Sequence, residues 1–378
     1  MAKQNLIDNN LGVAGGVKPK ATRALGLDLI RIIAFLSVIS VHFFLHNDFY
    51  NLNPNNVFMY VATCFRNLFM ICIPLFLMLS GYLLRDKEPN GKYYCKIARI
   101  IIEYFLAFFF CMLYDVISSK NFNFIGIIRN AFEFGYYSWY INMYIGLFCL
   151  APFLNKIFKY TTKREQQLLI LIMIGLTILP SIVNYAHWNN NYFVFKLPDF
   201  WSNSLFYLTY YMVGCYIGIN KPKFKKWVLV VILILNVLIE SLFSLKIFGN
   251  VNDVVPDGLF YYNTIFVFVS ACAVFLLFYD ISYRQGTNKK LQNLIAKISA
   301  ATLSAYLISN VFDKIVYKHI AVVGLGLKQK YFLAHAAIIV IALLSLIYGI
   351  VVTEFLNKIQ NKGKRKPCKL QQQSTQNS

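Results

Sequence analysis

Arg31 and His42 lie within LDLIRIIAFLSVISVHFF, residues 27–44, an apolar stretch that is typical of a membrane-spanning helix. They are eleven residues apart, which in an α-helix is about 20° more than three full turns. Their side chains therefore share one helix face and are separated by about 16 Å along the axis. Arginine can bind an anion, and histidine can accept a proton near neutral pH. Asp28, one turn before Arg31, can pair with it.

This shared face has two interpretations. In the first, it lines a path through the protein, with Arg31 as an anion binder at the mouth and His42 as a proton acceptor inside. In the second, Arg31 only reaches from a helix end to lipid headgroups, and His42 is a buried histidine that a neighbour satisfies. Ionisable residues inside membrane spans are costly and usually face a bundle interior or a cavity. That is the reason to look for function here.

A second basic cluster lies between the second and third apolar runs. Arg85, Lys87 and Lys92 precede Lys96 and Arg99, and the last two are three residues apart, so they share a helix face. Such a cluster can bind phosphate groups through charge and hydrogen bonds. It can also serve only to orient the chain, because Lys and Arg are enriched in cytoplasmic loops.

Three further polar positions are candidates for a supporting role. Ser80 precedes Gly81, a pair that allows close approach of two helices. Glu103 follows Arg99 by one helical turn and can pair with it. Asn142 lies within the apolar stretch WYINMYIGLF.

Composition indicates the environment of these residues. Of the 378 residues, 58% are hydrophobic and 14% are charged, and the mean hydropathy is +0.53. Soluble domains have roughly 25% charged residues, so a membrane protein is indicated. The net charge of +21 is spread in short clusters between apolar runs rather than gathered on one stripe. That distribution argues against nucleic-acid binding and suggests contact with membrane lipids.

The apolar runs predict an all-α polytopic bundle, because isolated spans of this length can be only helices in hydrocarbon. Ten runs are long enough to span a membrane: 25–46, 64–84, 100–119, 139–158, 166–185, 204–220, 227–247, 259–280, 298–320 and 331–357. Two of these predictions are the weakest. The sixth run is short, and the ninth carries Asp313, Lys314, Lys318 and His319 near one end.

Loop charges predict the orientation and the domain organisation. With ten spans, the segments on the side of the N-terminus carry 26 Lys and Arg residues, and those on the other side carry 5. Basic loops face the cytoplasm, so we predict that both termini are cytoplasmic. The expected organisation is a basic segment at 1–24, a membrane domain at 25–357 and a disordered basic tail at 358–378.

The eight cysteines predict neither a disulfide framework nor a metal site. Most of them lie within apolar runs, none forms a CxxC pair, and no spacing typical of metal ligands occurs. We therefore interpret them as small buried hydrophobic residues and expect no metal.

Five ordered motifs resemble the membrane acyltransferase-3 family. The R-x10-H spacing of Arg31 and His42, preceded by LDLIR, resembles the start of that family, and PLFLMLSGYLL at 74–84 resembles its second motif. Lys96 and Arg99 match a basic pair that opens the third span. The late matches are Trp139-Tyr140-Ile141 and TLSAYLIS at 302–309, which contains Tyr306. Ser138 and Ser309 stand where histidine is common in the family, so no role carries over to those two positions.

The resemblance implies transfer of an acyl group, usually acetyl from cytoplasmic acetyl-CoA, to a surface or lipid-linked carbohydrate such as an exopolysaccharide, capsule or wall glycan. On this basis Arg31, Lys96 and Arg99 would bind the phosphates of the donor. Catalysis would rest on His42 with Arg31, His42 acting as a general base or as a nucleophile that carries the acyl group. The expected location is a bacterial plasma membrane. Supporting roles would fall to Asp28, Ser80, Glu103, Trp139, Asn142 and Tyr306.

A transporter or flippase of a lipid-linked sugar is the alternative class. It would also need about ten spans and buried charges, but it predicts two related halves with interrupted helices. No such paired pattern is found in the sequence. That class also gives no special reason for the Lys96 and Arg99 pair.

Overall fold

The computed structural model describes residues 24–47, 49, 57–120, 122–189, 197–198, 200–248, 261–284, 286–322 and 327–365. These residues form helices and no strand. The helices are α1 (Leu25–His46), α2 (Val57–Phe69), α3 (Cys72–Leu84), α4 (Gly91–Tyr94), α5 (Lys96–Ser119), α6 (Phe124–Phe132), α7 (Trp139–Tyr160), α8 (Lys163–Thr177), α9 (Leu179–Asn189), α10 (Ser202–Asn220), α11 (Lys226–Phe248), α12 (Ile265–Phe278), α13 (Lys289–Val322) and α14 (Leu327–Arg365).

The prediction of an all-α polytopic bundle is confirmed. In the described part of the chain, 8 helical segments are long and apolar enough to cross a membrane. The other two predicted spans are also helical: 204–220 lies within α10, and 259–280 contains the shorter apolar helix α12. The last helix continues past the predicted boundary at 357 to Arg365. The predicted cytoplasmic location of the termini falls mainly on 1–23 and 366–378, which lie outside the described residues.

The first helix, α1, lies at the centre of the bundle. It packs against α3 and α13, with further contacts to α2, α12 and α14. Ile30, Ala34, Phe35 and Ile39 are fully buried. Because neighbours surround α1, the face that carries Arg31 and His42 points into protein rather than lipid.

The helices α3 and α10, which pack near α1, cross each other with their backbones in close contact. A Cβ atom on Gly81 of α3 would lie 2.0 Å from the carbonyl oxygen of Tyr211, and one on Gly214 of α10 would lie 2.0 Å from that of Met78. Only glycine permits backbones to approach so closely. The crossing of α3 and α10 therefore requires these two small residues.

A tight loop leads from α6 into α7. Phe134 and Tyr136 in this loop have positive φ angles of 53° and 58°, a region that non-glycine residues seldom occupy. The hydroxyl of Tyr104 on α5 donates to the carbonyl of Ala131 at 2.6 Å and ties down the start of the loop. The turn brings Tyr137 beside the end of α1.

Candidate active site

A histidine and a carboxylate from two different helices meet near the end of α1. His42 Nδ1 lies 3.3 Å from Asp313 Oδ2 on α13. The side chain of Asp313 is 1% exposed and that of His42 is 13% exposed. The two groups lie at ion-pair distance, but Nδ1 is not aligned for a hydrogen bond to the carboxylate. The negative charge of the carboxylate favours the tautomer with the proton on Nδ1. Nε2 is then left as the basic atom.

Tyr137 completes the surroundings of the carboxylate. Its hydroxyl donates to Asp313 Oδ2 at 2.8 Å, and its ring centroid lies 3.8 Å from that of His42. Burial, and secondarily the charge of Asp313, raise the pKa of Tyr137 well above its usual value. The phenol therefore stays protonated and acts as a hydrogen-bond donor. Tyr306 in turn donates from its hydroxyl to the carbonyl of Tyr137.

A small cavity lies against His42. Its volume is about 20 Å³, which is room for about one water molecule. Trp139, 40% exposed, stacks on Tyr262 with a centroid distance of 6.2 Å. The cavity thus offers the imidazole an aromatic, largely enclosed space. Its lining residues are Val38, Val41, His42, Cys72, Ile73, Trp139, Tyr262 and Tyr306.

A strip of tyrosines links this cavity to the other end of the shared α1 face. Arg31 donates to the hydroxyl of Ser299 on α13 at 3.1 Å, and its charge acts on Tyr140 and Tyr144 of α7. Tyr140 stacks on Tyr144 with centroids 5.7 Å apart, and its ring meets that of Tyr306 edge-on at 6.1 Å. Arg31 and His42 therefore lie at two ends of one buried, polar-edged aromatic surface.

The second basic cluster lies apart from this surface. Arg99 Nε contacts Glu103 Oε1 at 2.9 Å, and the same guanidinium donates to Asn357 at 2.8 Å and Gln360 at 3.2 Å. The hydroxyl of Ser304 donates to Glu103 Oε2 at 2.8 Å. This cluster joins α5 to α13 and α14. Binding a phosphate at Arg99 would mean exchanging these contacts.

Comparison with known protein families decides the family. Residues 25–354 match the family model described as an acyltransferase domain, which is that of the acyltransferase-3 family. The chain belongs to this family. No curated protein and no solved structure matches it. With its membrane-length helices, the protein is a multi-pass membrane acyltransferase.

The other sequence candidates occupy varied places in the acyltransferase. Asp28 is buried, and Ser80 donates to the carbonyl of Phe76 at 2.8 Å within its own helix. Lys96 is exposed at the start of α5, and Asn142 is exposed on the first turn of α7. Of the predicted set, His42, Trp139 and Tyr306 meet at the cavity.

Sequence reasoning missed two residues of the candidate site, Asp313 and Tyr137. The sequence could have indicated Asp313 as a site residue, because a carboxylate inside an apolar run needs a buried partner. In the sequence alone, Asp313 counts only as a polar residue that weakens the predicted span at 298–320. Tyr137 gave no signal, since its position depends on the left-handed turn before α7 rather than on any pattern of residues.

Proposed function

We propose that this membrane acyltransferase moves an acetyl group from cytoplasmic acetyl-CoA to a hydroxyl of a surface or lipid-linked carbohydrate. The observation that carries the proposal is the pairing of His42 with buried Asp313 at a cavity. A carboxylate that orients an imidazole and stabilises its protonated form is a recurrent arrangement for general-base catalysis.

The proposed reaction runs through one atom of His42. Nε2 takes the proton of the acceptor hydroxyl while that oxygen attacks the thioester carbonyl carbon. The tetrahedral intermediate then expels the CoA sulfur, which takes the proton back from Nε2, so that an ester and free CoA thiol form without net proton release. Asp313 stabilises the imidazolium between the two steps. His42 acting as a nucleophile that carries the acyl group is the second route, and it uses the same nitrogen.

The donor is proposed to enter at the Arg31 end of the bundle. Loop charges assign this end to the cytoplasm, where acetyl-CoA is available, and the guanidinium can pair with a phosphate. The thioester arm would then follow Tyr144 and Tyr140 over the roughly 16 Å of helix between Arg31 and His42. Lys96 and Arg99 lie on the same predicted side and would attract the phosphates before they reach Arg31.

Support for a carbohydrate acceptor comes from the opposite rim of the cavity. Trp139 and Tyr262 present a flat pair of rings, and Trp139 is partly exposed. Aromatic rings with a polar edge suit a ligand that has both apolar C–H faces and hydroxyl groups. A sugar ring is such a ligand, and a hydroxyl on it would lie next to Nε2.

The test uses detergent-purified protein with acetyl-CoA and the methyl glycosides of glucose, galactose, mannose and N-acetylglucosamine. CoA thiol release and the mass of each glycoside are measured. His42→Ala should lower acetyl transfer by ~10²-fold or more. The matched control is His335→Ala, which removes an exposed histidine on α14 and should keep the wild-type rate. Full activity in a well-folded His42→Ala protein would refute the catalytic assignment.

The natural acceptor is identified in the host cell. Mass spectrometry of surface glycans compares cells with the wild-type chain, with His42→Ala and without the chain. We expect one acetylated hydroxyl to disappear in the last two. Unchanged glycan acetylation in all three strains would exclude a carbohydrate acceptor on the cell surface.

A further inference from the structure

The polar contacts at the active site continue past Asp313 to the end of α1. His46 Nε2 lies 2.7 Å from the hydroxyl of Tyr137, and that hydroxyl lies 2.8 Å from Asp313 Oδ2. His46 is exposed, whereas Asp313 is fully enclosed. The general-base scheme above uses His42 and Asp313 and gives no part to His46 or Tyr137.

Counting hydrogens fixes the direction of these contacts. Tyr137 has one phenolic hydrogen, and Asp313 can only accept. The phenol therefore donates to Asp313, so the hydrogen between Tyr137 and His46 must come from the imidazole. This assigns the proton of neutral His46 to Nε2. Hydrogen bonds are therefore donated from His46 to Tyr137 and from Tyr137 to Asp313, and the first bond polarises and strengthens the second.

The arrangement holds Asp313 by one oxygen only. Oδ2 faces both His42 and Tyr137, while Oδ1 has no hydrogen-bond partner among the described residues. Tyr317 also acts on this carboxylate, but the 2.8 Å hydrogen bond that holds Oδ2 comes from the Tyr137 hydroxyl. The phenol is itself held in place, because Tyr306 donates to its backbone carbonyl and its ring lies over the imidazole.

We propose that Tyr137 and His46 are positioning residues that hold Asp313 so that His42 presents Nε2 to the cavity. The inference rests on the proposed function, since it assumes that His42 is the base. Tyr137 acts directly on Asp313. His46 acts only through Tyr137, by fixing its hydroxyl with a donated hydrogen bond.

The expected effect on pH dependence follows from the charges around the two histidines. Without the phenolic hydrogen bond, the Asp313 charge is less dispersed and interacts more strongly with His42. The pH–rate profile should therefore differ from that of the wild-type protein. The two histidines face each other, with ring centroids 6.4 Å apart. The other groups that face them are Tyr306, Asp313, Lys314 and Tyr317 of α13, Tyr137 of the loop, and Cys72 and Tyr262 across the cavity.

Four variants test the inference, with acetyl transfer from acetyl-CoA to the methyl glycosides measured from pH 5 to 9. Tyr137→Phe keeps the ring and removes the hydroxyl. We expect kcat to fall ~10–100-fold, with an altered pH profile and an unchanged KM for acetyl-CoA. His46→Phe keeps a ring without the donor and should lower kcat by roughly 3–10-fold, the share expected of one hydrogen bond. His46→Gln retains an N–H donor and should stay within about 2-fold of wild type.

The fourth variant, Tyr137→Phe with His46→Phe, shows whether the two residues act in series. If His46 acts only through Tyr137, the double variant should have the same kcat as Tyr137→Phe alone, so that the effects of the two substitutions do not add. If the fold-loss in kcat of the double variant equals the product of the two single fold-losses, the two residues act independently and the serial arrangement is contradicted. All four proteins are compared by size-exclusion profile, so that loss of folding is recognised.

Failure of this inference can be told apart from failure of the proposed function. If His42→Ala is inactive while Tyr137→Phe and His46→Phe keep the wild-type rate and pH profile, the positioning role is refuted and the base assignment stands. If His46→Gln loses as much activity as His46→Phe, the hydrogen-bond donor role of His46 is refuted. If wild type transfers no acetyl group, or His42→Ala transfers as much as wild type, the proposed function itself fails.

Discussion

Asp313 places a carboxylate beside His42 in a part of the protein that water scarcely reaches. Asp313→Asn keeps the shape of the side chain and removes its charge. An amide also offers N–H donors to Nδ1, which would move the imidazole proton to Nε2 and occupy the atom that must act as base. We expect acetyl transfer to fall ~10²–10⁴-fold. Thiol release from acetyl-CoA measures this.

A matched substitution separates charge from structure at this site. Asp115 on α5 accepts hydrogen bonds from Lys314 of α13 at 2.7 and 2.9 Å. Lys314 follows Asp313 in the sequence, but Asp115 has no described contact with His42. Asp115→Asn should leave the rate within a few-fold of wild type. Equal losses in Asp115→Asn and Asp313→Asn would show that only general packing of α13 is being measured.

At the residue scale the sequence predicted half of the proposed catalytic pair. The helical period placed Arg31 and His42 on one face, because that relation lies within a single helix. Asp313 and Tyr137 could not be assigned as partners of His42, since a helical period says nothing about the register between helices that are distant in sequence. Their meeting depends on how α13 and the loop before α7 pack against α1.

At the scale of elements, the crossing of α3 and α10 holds the wall next to α1. Gly214→Ala would place a Cβ 2.0 Å from a backbone oxygen of Met78. A backbone atom cannot rotate away as a side chain can, so the helices must separate. Overpacking of this kind costs about 1–3 kcal/mol or more. We expect a lower thermal midpoint in detergent and reduced acetyl transfer.

Gly146 on α7 is the control for this substitution. A Cβ atom there would meet no atom within 4 Å. Gly146→Ala should preserve the thermal midpoint and the rate. If both alanine variants behaved alike, the tight crossing of α3 and α10 would not be a requirement of the fold.

Sequence reasoning worked well for elements and poorly for their breaks. Among the described residues, long apolar runs predicted every helix that is long enough to span a membrane, because only a helix satisfies the backbone of an isolated segment in hydrocarbon. The division of the second span at residues 70–71 has a local cause, because Pro74 lacks the N–H that would bond to the carbonyl of Met70. The left-handed turn at Phe134 and Tyr136 was not predicted, and no local pattern of residues encodes it.

At the scale of the whole molecule, the predicted orientation can be tested by chemical labelling. Cys95 is exposed in a loop that loop charges assign to the cytoplasm, and Glu133 is exposed near the opposite end of the bundle. In intact cells a membrane-impermeant maleimide should label Glu133→Cys in a Cys95→Ser background. It should label Cys95 of the wild-type chain only after permeabilisation. The reverse pattern would invert the donor and acceptor ends proposed here.

The separation of His42 and Asp313 along the chain also has a consequence for biosynthesis. α1 is synthesised before α13, and 270 residues lie between His42 and Asp313. At roughly 5–20 residues per second, this interval is on the order of tens of seconds. During that time His42 has no carboxylate partner, and a chain that stops before α13 cannot assemble the pair. The proposed catalytic pair can therefore form only after the helices from α2 to α12 have been made.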